Sequence, residues 1–164
     1  MTPVLGDGSA AVRLRPTVME AGPMILKCDF EELAALTASA GRLLEEHAHA
    51  EGGRVCAPPR VIETLEALLP ELQGDLSITT LAEQQRLEEA LELVLEDARQ
   101  RMDRCILEQH PAAEDAINAY FEYAHILAVL DRLRRMGAEM RAIIELTTGR
   151  PADEETARTV TFPD

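Results

Sequence analysis

Between Pro111 and Gly149 the chain contains no proline, and its apolar residues recur at alternating spacings of four and three. The series is Ala119, Tyr123, Ile126, Leu130, Leu133, Gly137, Met140, Ile144 and Thr147. A helix turns once per 3.6 residues, so this spacing holds one apolar line on one face. Four heptads of it predict a long helix carrying a coiled-coil-like seam. Ile117, Tyr120, Phe121, Ala124 and Leu127 add a second apolar surface to its first half. A helix that is apolar on two sides touches two neighbours.

A second long helix precedes it. Thr80, with Glu83 three residues later, has the form of a capping box, and an apolar line follows through Leu87, Leu91, Val94, Ala98, Met102 and Cys105. His110-Pro111 breaks the run, and Pro111 suits the first position of the next helix. The expected helices are about 29–51, 60–72, 80–109 and 111–148. The third and fourth form an antiparallel hairpin with the first two laid across it. Asp29 and Glu32 form a capping box for the first helix, whose expected apolar stripe is Phe30, Leu33, Thr37, Ala40 and Leu44, widened by Leu36 and Leu43.

The fold class read from the sequence is therefore mainly α: an antiparallel bundle on a long helical hairpin, with a small β element. That element is an N-terminal hairpin of Val12–Val18 and Met24–Cys28, turning near Glu20–Pro23, with Thr159–Phe162 available as a further strand. Residues 1–11 read as a lead-in, and residues 12–164 as one helical domain with a C-terminal tail from 149.

Composition excludes several functions. The formal charge of −14 repels phosphate backbones, and aromatics at 3% offer few stacking platforms, so nucleic acid is a poor partner. The best local basic patch, Arg132, Arg134, Arg135 and Arg141, is interrupted by Asp131 and Glu139. Cys28, Cys56 and Cys105 are odd in number and widely spaced, which suits reduced thiols and not a disulfide framework. Lys27 is the only lysine, a usage expected of a GC-rich bacterial genome. No stretch approaches a membrane span and the first residues lack a leader pattern, so the expected location is the cytoplasm, away from membranes.

The chemistry-bearing candidates are few. Glu122 and His125 stand three apart on the fourth helix, the spacing that ferritin-like carboxylate proteins use for paired iron or manganese. Glu46 and His49 repeat it, and Glu88, Glu92 and Glu96 offer bridging carboxylates. Glu88 is the best placed of these. Against a metal centre, Glu122 flanks the seam and His125 lies well off it, so a site would have to form where subunits meet. His47, His49 and Glu51 form a further cluster at a helix end. Arg104 and His110 share a spacing with some helical ribonucleases of toxin systems. Cys105, however, stands where a polar residue follows in those proteins. No Gly-x-Ser-x-Gly elbow or Gly-rich phosphate loop is present.

The sequence thus points to a non-catalytic interaction or assembly protein. It would act as a homo-oligomer through the seam Ala119, Tyr123, Ile126, Leu130, Leu133, Gly137, Met140 and Ile144, or bind another protein, and would need no cofactor. Two alternatives follow from the residues. One is a di-metal carboxylate protein using Glu122, His125 and Glu88 with iron or manganese. The other is a small-molecule regulatory module with a pocket among Met102, Tyr120, Phe121 and Tyr123.

Overall fold

The computed structural model describes residues 23–50, 57–108, 113–149 and 151–152. Within them lie four α-helices: α1 (Phe30–His49), α2 (Pro59–Leu68), α3 (Leu81–Glu108) and α4 (Glu114–Thr148). A single 3-10 turn, Leu69–Glu71, extends α2. Two short strands, β1 (Met24–Leu26) and β2 (Leu76–Ile78), pair antiparallel with Ile25 opposite Ser77. The architecture is the expected helical bundle on a long hairpin. At 1.5 Å per residue α3 is about 42 Å long and α4 about 52 Å.

Local chemistry explains the helix ends. Asp29 Oδ1 accepts from the Glu32 amide at 2.8 Å, and Glu32 Oε2 accepts from the Asp29 amide at 3.0 Å, which closes the expected capping box. At α3 the Glu83 amide donates to Thr80 Oγ1 at 3.0 Å. The Glu83 carboxylate reaches past Thr80 to accept from the Thr79 amide and hydroxyl, both at 2.9 Å. Pro59 occupies the first turn of α2, where its missing amide hydrogen costs nothing. Gly149 ends α4 at φ 65°, donating its amide to the Glu145 carbonyl. Glycine reaches that left-handed geometry without steric cost.

The core fills the space between α3 and α4 and then spreads beneath α1, α2 and the sheet. Leu87, Leu91 and Val94 of α3 meet Ile126, Leu130 and Leu133 of α4, all buried. Leu36, Ala40 and Leu43 of α1, Leu65 of α2, and Leu26, Leu76 and Ile78 of the strands complete it. Strand alternation buries Leu76 and Ile78 and exposes Ser77. Among the described residues no helix is long and apolar enough to cross a membrane.

Three expectations need correction. The described sheet pairs Met24–Leu26 with Leu76–Ile78, a segment that lies between the expected second and third helices. Val12–Val18 and Thr159–Phe162 lie outside the described residues. The stripe of α1 is turned from the expected one: Glu32, Ala35, Leu36, Ser39, Ala40 and Leu43 are buried, while Phe30 is 83% exposed and Thr37 is also outside the core. α4 starts at Glu114 and not at Pro111, with extended Ala113 before it.

Candidate functional site

The three residues offered as metal ligands point to three different places. Glu122 leaves α4 toward α1, where its Oε1 accepts from the Ser39 hydroxyl and from an Arg42 amino group. The same oxygen accepts from Arg101 Nη2 of α3 at 2.9 Å. Arg101 Nη2 also donates to Ser39 Oγ at 3.1 Å, and Arg101 Nε to Asp97 at 3.2 Å. One carboxylate thus sits between two guanidiniums and a fully buried serine. This cluster fastens α1 to both arms of the hairpin. A cation at Glu122 would face two positive charges, so the carboxylate is neutralised in place and not held for a metal.

Glu88 is likewise engaged. It accepts from Gln84 Nε2 at 2.8 Å and lies 3.5 Å from Arg134, whose other branch reaches Glu92 at 2.9 Å. The hydrogen bond that Arg134 donates to Glu92 raises its already high pKa. His125 faces the start of α1, with Nε2 3.7 Å from Glu31. Asp29, Glu31 and His125 are the one set of potential ligand atoms that converge among the described residues. Asp29 is already committed to capping α1. Among the described residues the ligand atoms of Glu122, His125 and Glu88 are not brought together. Helical spacing alone could not show this, because the arginines that claim Glu122 come from α1 and α3.

A second ion pair joins buried Glu32 to half-buried Arg132. Arg132 Nη1 donates to Glu32 Oε1 at 2.9 Å and Nη2 to the Lys27 carbonyl at 2.9 Å. Glu32 therefore caps α1 and ties α4 to it at once. Its hydrogen bond raises the Arg132 pKa. Cys28 sits beside this pair, half buried, and burial followed by the charge of Glu32 pushes its thiol pKa up. A raised thiol is a poor nucleophile at neutral pH. The supposed basic patch is dispersed by these contacts, since Arg132 and Arg134 both carry acidic partners.

The seam is placed inward. Ile126, Leu130, Leu133, Gly137, Met140 and Ile144 are buried in the chain's own core, and Ala119 and Tyr123 are half buried. It serves the contact of α4 with α3 and so presents no surface for a partner. The second apolar surface is placed outward. α3 covers one side of α4, and α1 covers another, where Glu122 and Arg132 reach it. In the remaining sector Ile117 is 42% exposed, and Tyr120 and Phe121 are each 54% exposed. Their rings meet edge to face at 5.8 Å between centroids. Ile106 and Leu107, on the last turn of α3, are also exposed.

Two surface grooves lie away from Met102, Tyr120, Phe121 and Tyr123. One groove of about 320 Å³ runs between α2, β2 and α3 over Leu68, Leu76, Ile78 and Leu87. A second, of about 380 Å³, follows β1 beside Arg135, Met136 and Glu139. His47 and His49 are exposed at the end of α1, where His49 Nδ1 meets the Glu45 carbonyl at 2.7 Å. Glu51 and His110 lie outside the described residues.

No family model matches the chain, and comparisons with curated proteins and with solved structures found no match.

Proposed function

We propose that this chain is a non-catalytic interaction or assembly protein that works as a homo-oligomer, with the uncovered sector of α4 as its contact surface. The observation that carries this reading is the exposed strip of Ile117, Tyr120 and Phe121 on a rigid helix. Three large apolar residues on adjoining turns form a patch that water disfavours, and such patches mark contact sites. Aromatic anchors of this kind dominate protein–protein contacts. The polar neighbours support a contact role over a catalytic one. The carboxylates of Glu88 and Glu122 are held by arginines of each other's helices.

The interface differs from that read in the sequence. The seam residues fold the chain, and the strip behind them is left for assembly. The test is native mass spectrometry and sedimentation velocity over a hundredfold range of concentration, for the natural chain and for Tyr120→Glu. The natural chain is expected to associate, and Tyr120→Glu to shift toward monomer with unchanged helix content. A natural chain that stays monomeric throughout overturns the homo-oligomer reading.

A further inference from the structure

Each strand of the sheet borders a groove, and the two grooves differ in charge. Among the described residues β2 pairs only with β1, so no strand lies on its other edge. The groove of about 320 Å³ follows that edge. Leu76, Ser77 and Ile78 all line it, although they alternate between core and solvent. Leu68 and Leu87 form its apolar floor, and Glu63, Glu71 and Glu83 stand around it. Of its two arginines, Arg60 is held by Glu89, which leaves Arg86 against three carboxylates. The groove beside β1 has the opposite balance. Arg132 there is paired with Glu32, and Lys27 and Arg135 remain against Glu139.

We infer that Val12–Val18 of the same chain occupies the groove beside β2 as an added edge strand. The inference is independent of the assembly reading. In a chain of formal charge −14 this segment carries Arg13 and Arg15 and no acidic residue. The acidic groove attracts it, and the groove beside β1 repels it. Val12 and Leu14 alternate with the arginines, so the apolar side chains turn to the floor while the long basic ones reach Glu63 and Glu71. The unpaired backbone groups of an edge strand are satisfied by such an addition, and a covered edge does not recruit other chains. Pro16, which cannot donate to a ladder, is tolerated in an outermost strand.

The chain is long enough to make this path. Met24 is the register partner of Ile78, so the segment before β1 leaves the sheet at the Ile78 end of β2. A strand beyond β2 lies two strand spacings from β1, about 10 Å. Met19 to Pro23 supplies five linking residues, which extend to at most about 17 Å. The linker crosses the end of β2, and Val12–Val18 then runs parallel to it. A hairpin folded back on β1, as the sequence pattern suggests, needs a shorter path but meets Lys27 and Arg135.

The test uses the full chain and two measurements. Hydrogen exchange read by mass spectrometry compares the natural chain with Arg13→Glu/Arg15→Glu. The peptide containing Leu76–Ile78 should exchange at least severalfold faster in the variant. Adding Glu63→Arg and Glu71→Arg to the variant should restore the slow exchange. Equal exchange in the natural chain and the double variant overturns the proposal. The second measurement places a nitroxide at Thr17→Cys in a chain with Cys28→Ser, Cys56→Ser and Cys105→Ser. Amide signals of Thr64 and Ala67 in α2 should broaden more than those of Arg135 and Glu139 in α4. The reverse order assigns the segment to β1, and broadening at neither place leaves it undocked; both overturn the proposal. Broadening that appears only when spin-labelled chain is mixed with unlabelled, nitrogen-15 chain makes a second copy the donor of the segment and overturns the same-chain assignment.

Discussion

Gly137 of α4 lies against the side chain of Gln84 of α3, so closely that a Cβ at position 137 would stand 2.6 Å from Gln84 Cδ and 2.8 Å from Oε1. Gln84 is fully buried, and its Nε2 donates to the Leu133 carbonyl at 3.0 Å and to Glu88 at 2.8 Å. The missing side chain on α4 makes the room for an amide on α3. A glycine in the middle of a long helix is thereby explained by packing. The seam needs an apolar residue at this step, and the facing helix supplies the volume instead.

Gly137→Ala should destabilise the chain by about 1–3 kcal/mol. Alanine favours the helix by about 1 kcal/mol over glycine. The displaced amide, however, loses one buried and one partly buried hydrogen bond of about 1 kcal/mol each and strains a packed core. Urea unfolding followed by circular dichroism reads the difference. The relation is reciprocal, so in a Gln84→Ala background the same Gly137→Ala change should become neutral or stabilising. A single Gly137→Ala chain more stable than the parent would show that Gln84 moves aside at no cost.

Glu122 binds three elements together, and its removal should reveal this. Glu122→Ala leaves Arg42 and Arg101 without their shared counter-charge and the buried Ser39 hydroxyl without its acceptor. The expected loss is about 2–4 kcal/mol, as for a broken, largely buried pair. Glu122→Gln keeps an oxygen for Ser39 and Arg101 and should lose about half as much. Iron(II) or manganese(II) should not raise the melting temperature of the natural chain. A stoichiometric metal-dependent rise that disappears in Glu122→Gln would restore the metal reading and dismiss the ion-pair account.

The course of the chain was legible where periodicity and caps act locally. Asp29 with Glu32, Gly149 after α4, and the seam from Ile126 to Ile144 depend only on neighbours along one helix. Their roles follow from spacing. The strand Leu76–Ile78 was not legible because three residues carry too little pattern, and its partner at Met24–Leu26 lies about fifty residues away in sequence. The turned face of α1 has a related cause. Ser39 and Glu32 are polar by type, yet Arg42, Arg101 and Arg132 satisfy them in the interior. Phe30 is apolar by type but lies on the outer face of α1, turned from Glu32, which the bundle buries within the first turn of the same helix. Burial of paired polar groups is decided by residues on other helices, which no single-helix pattern contains. The candidate site suffers the same limit, since Glu122 and His125 share a spacing but not a partner.

Glu96 offers a titration with a stated direction. Hydrogen bonds from Arg99, with a smaller one from Gln100, hold its carboxyl down to about 2, against 4.5 for a free glutamate. A depressed folded pKa contributes stability above the unfolded value, and this is lost as pH falls from about 4.5 toward 2. The group is fully exposed, so the contribution to stability is small and salt-sensitive. Carbon-detected NMR of the side-chain carboxyl should place the Glu96 midpoint well below the other glutamates. Arg99→Gln should return it toward 4.5. A Glu96 midpoint unmoved by Arg99→Gln would show that the pair seen here does not persist in solution.

Two substitutions on one helix should separate folding from assembly. Leu133 is fully buried against α3, whereas Phe121, twelve residues earlier, is half exposed in the uncovered sector. Leu133→Asp would place an unpaired carboxylate in the core and delete a large apolar contact. Together these should cost more than about 4–5 kcal/mol, comparable with the 5–15 kcal/mol stability of a whole domain. The chain should lose most helical ellipticity or enter inclusion bodies, and no folded monomer should appear. Phe121→Glu removes apolar surface that water already touches. It should keep its helix content and melt within about 1 kcal/mol of the parent, while its association weakens at least tenfold. The sequence reading, in which the seam is the interface, expects a seam charge to dissolve the oligomer or unfold the chain. Burial in the chain's own core selects unfolding. Circular dichroism and sedimentation on the two variants distinguish the roles directly. A folded, monomeric Leu133→Asp chain would return the interface to the seam, and an unfolded Phe121→Glu chain would place the outer strip in the core.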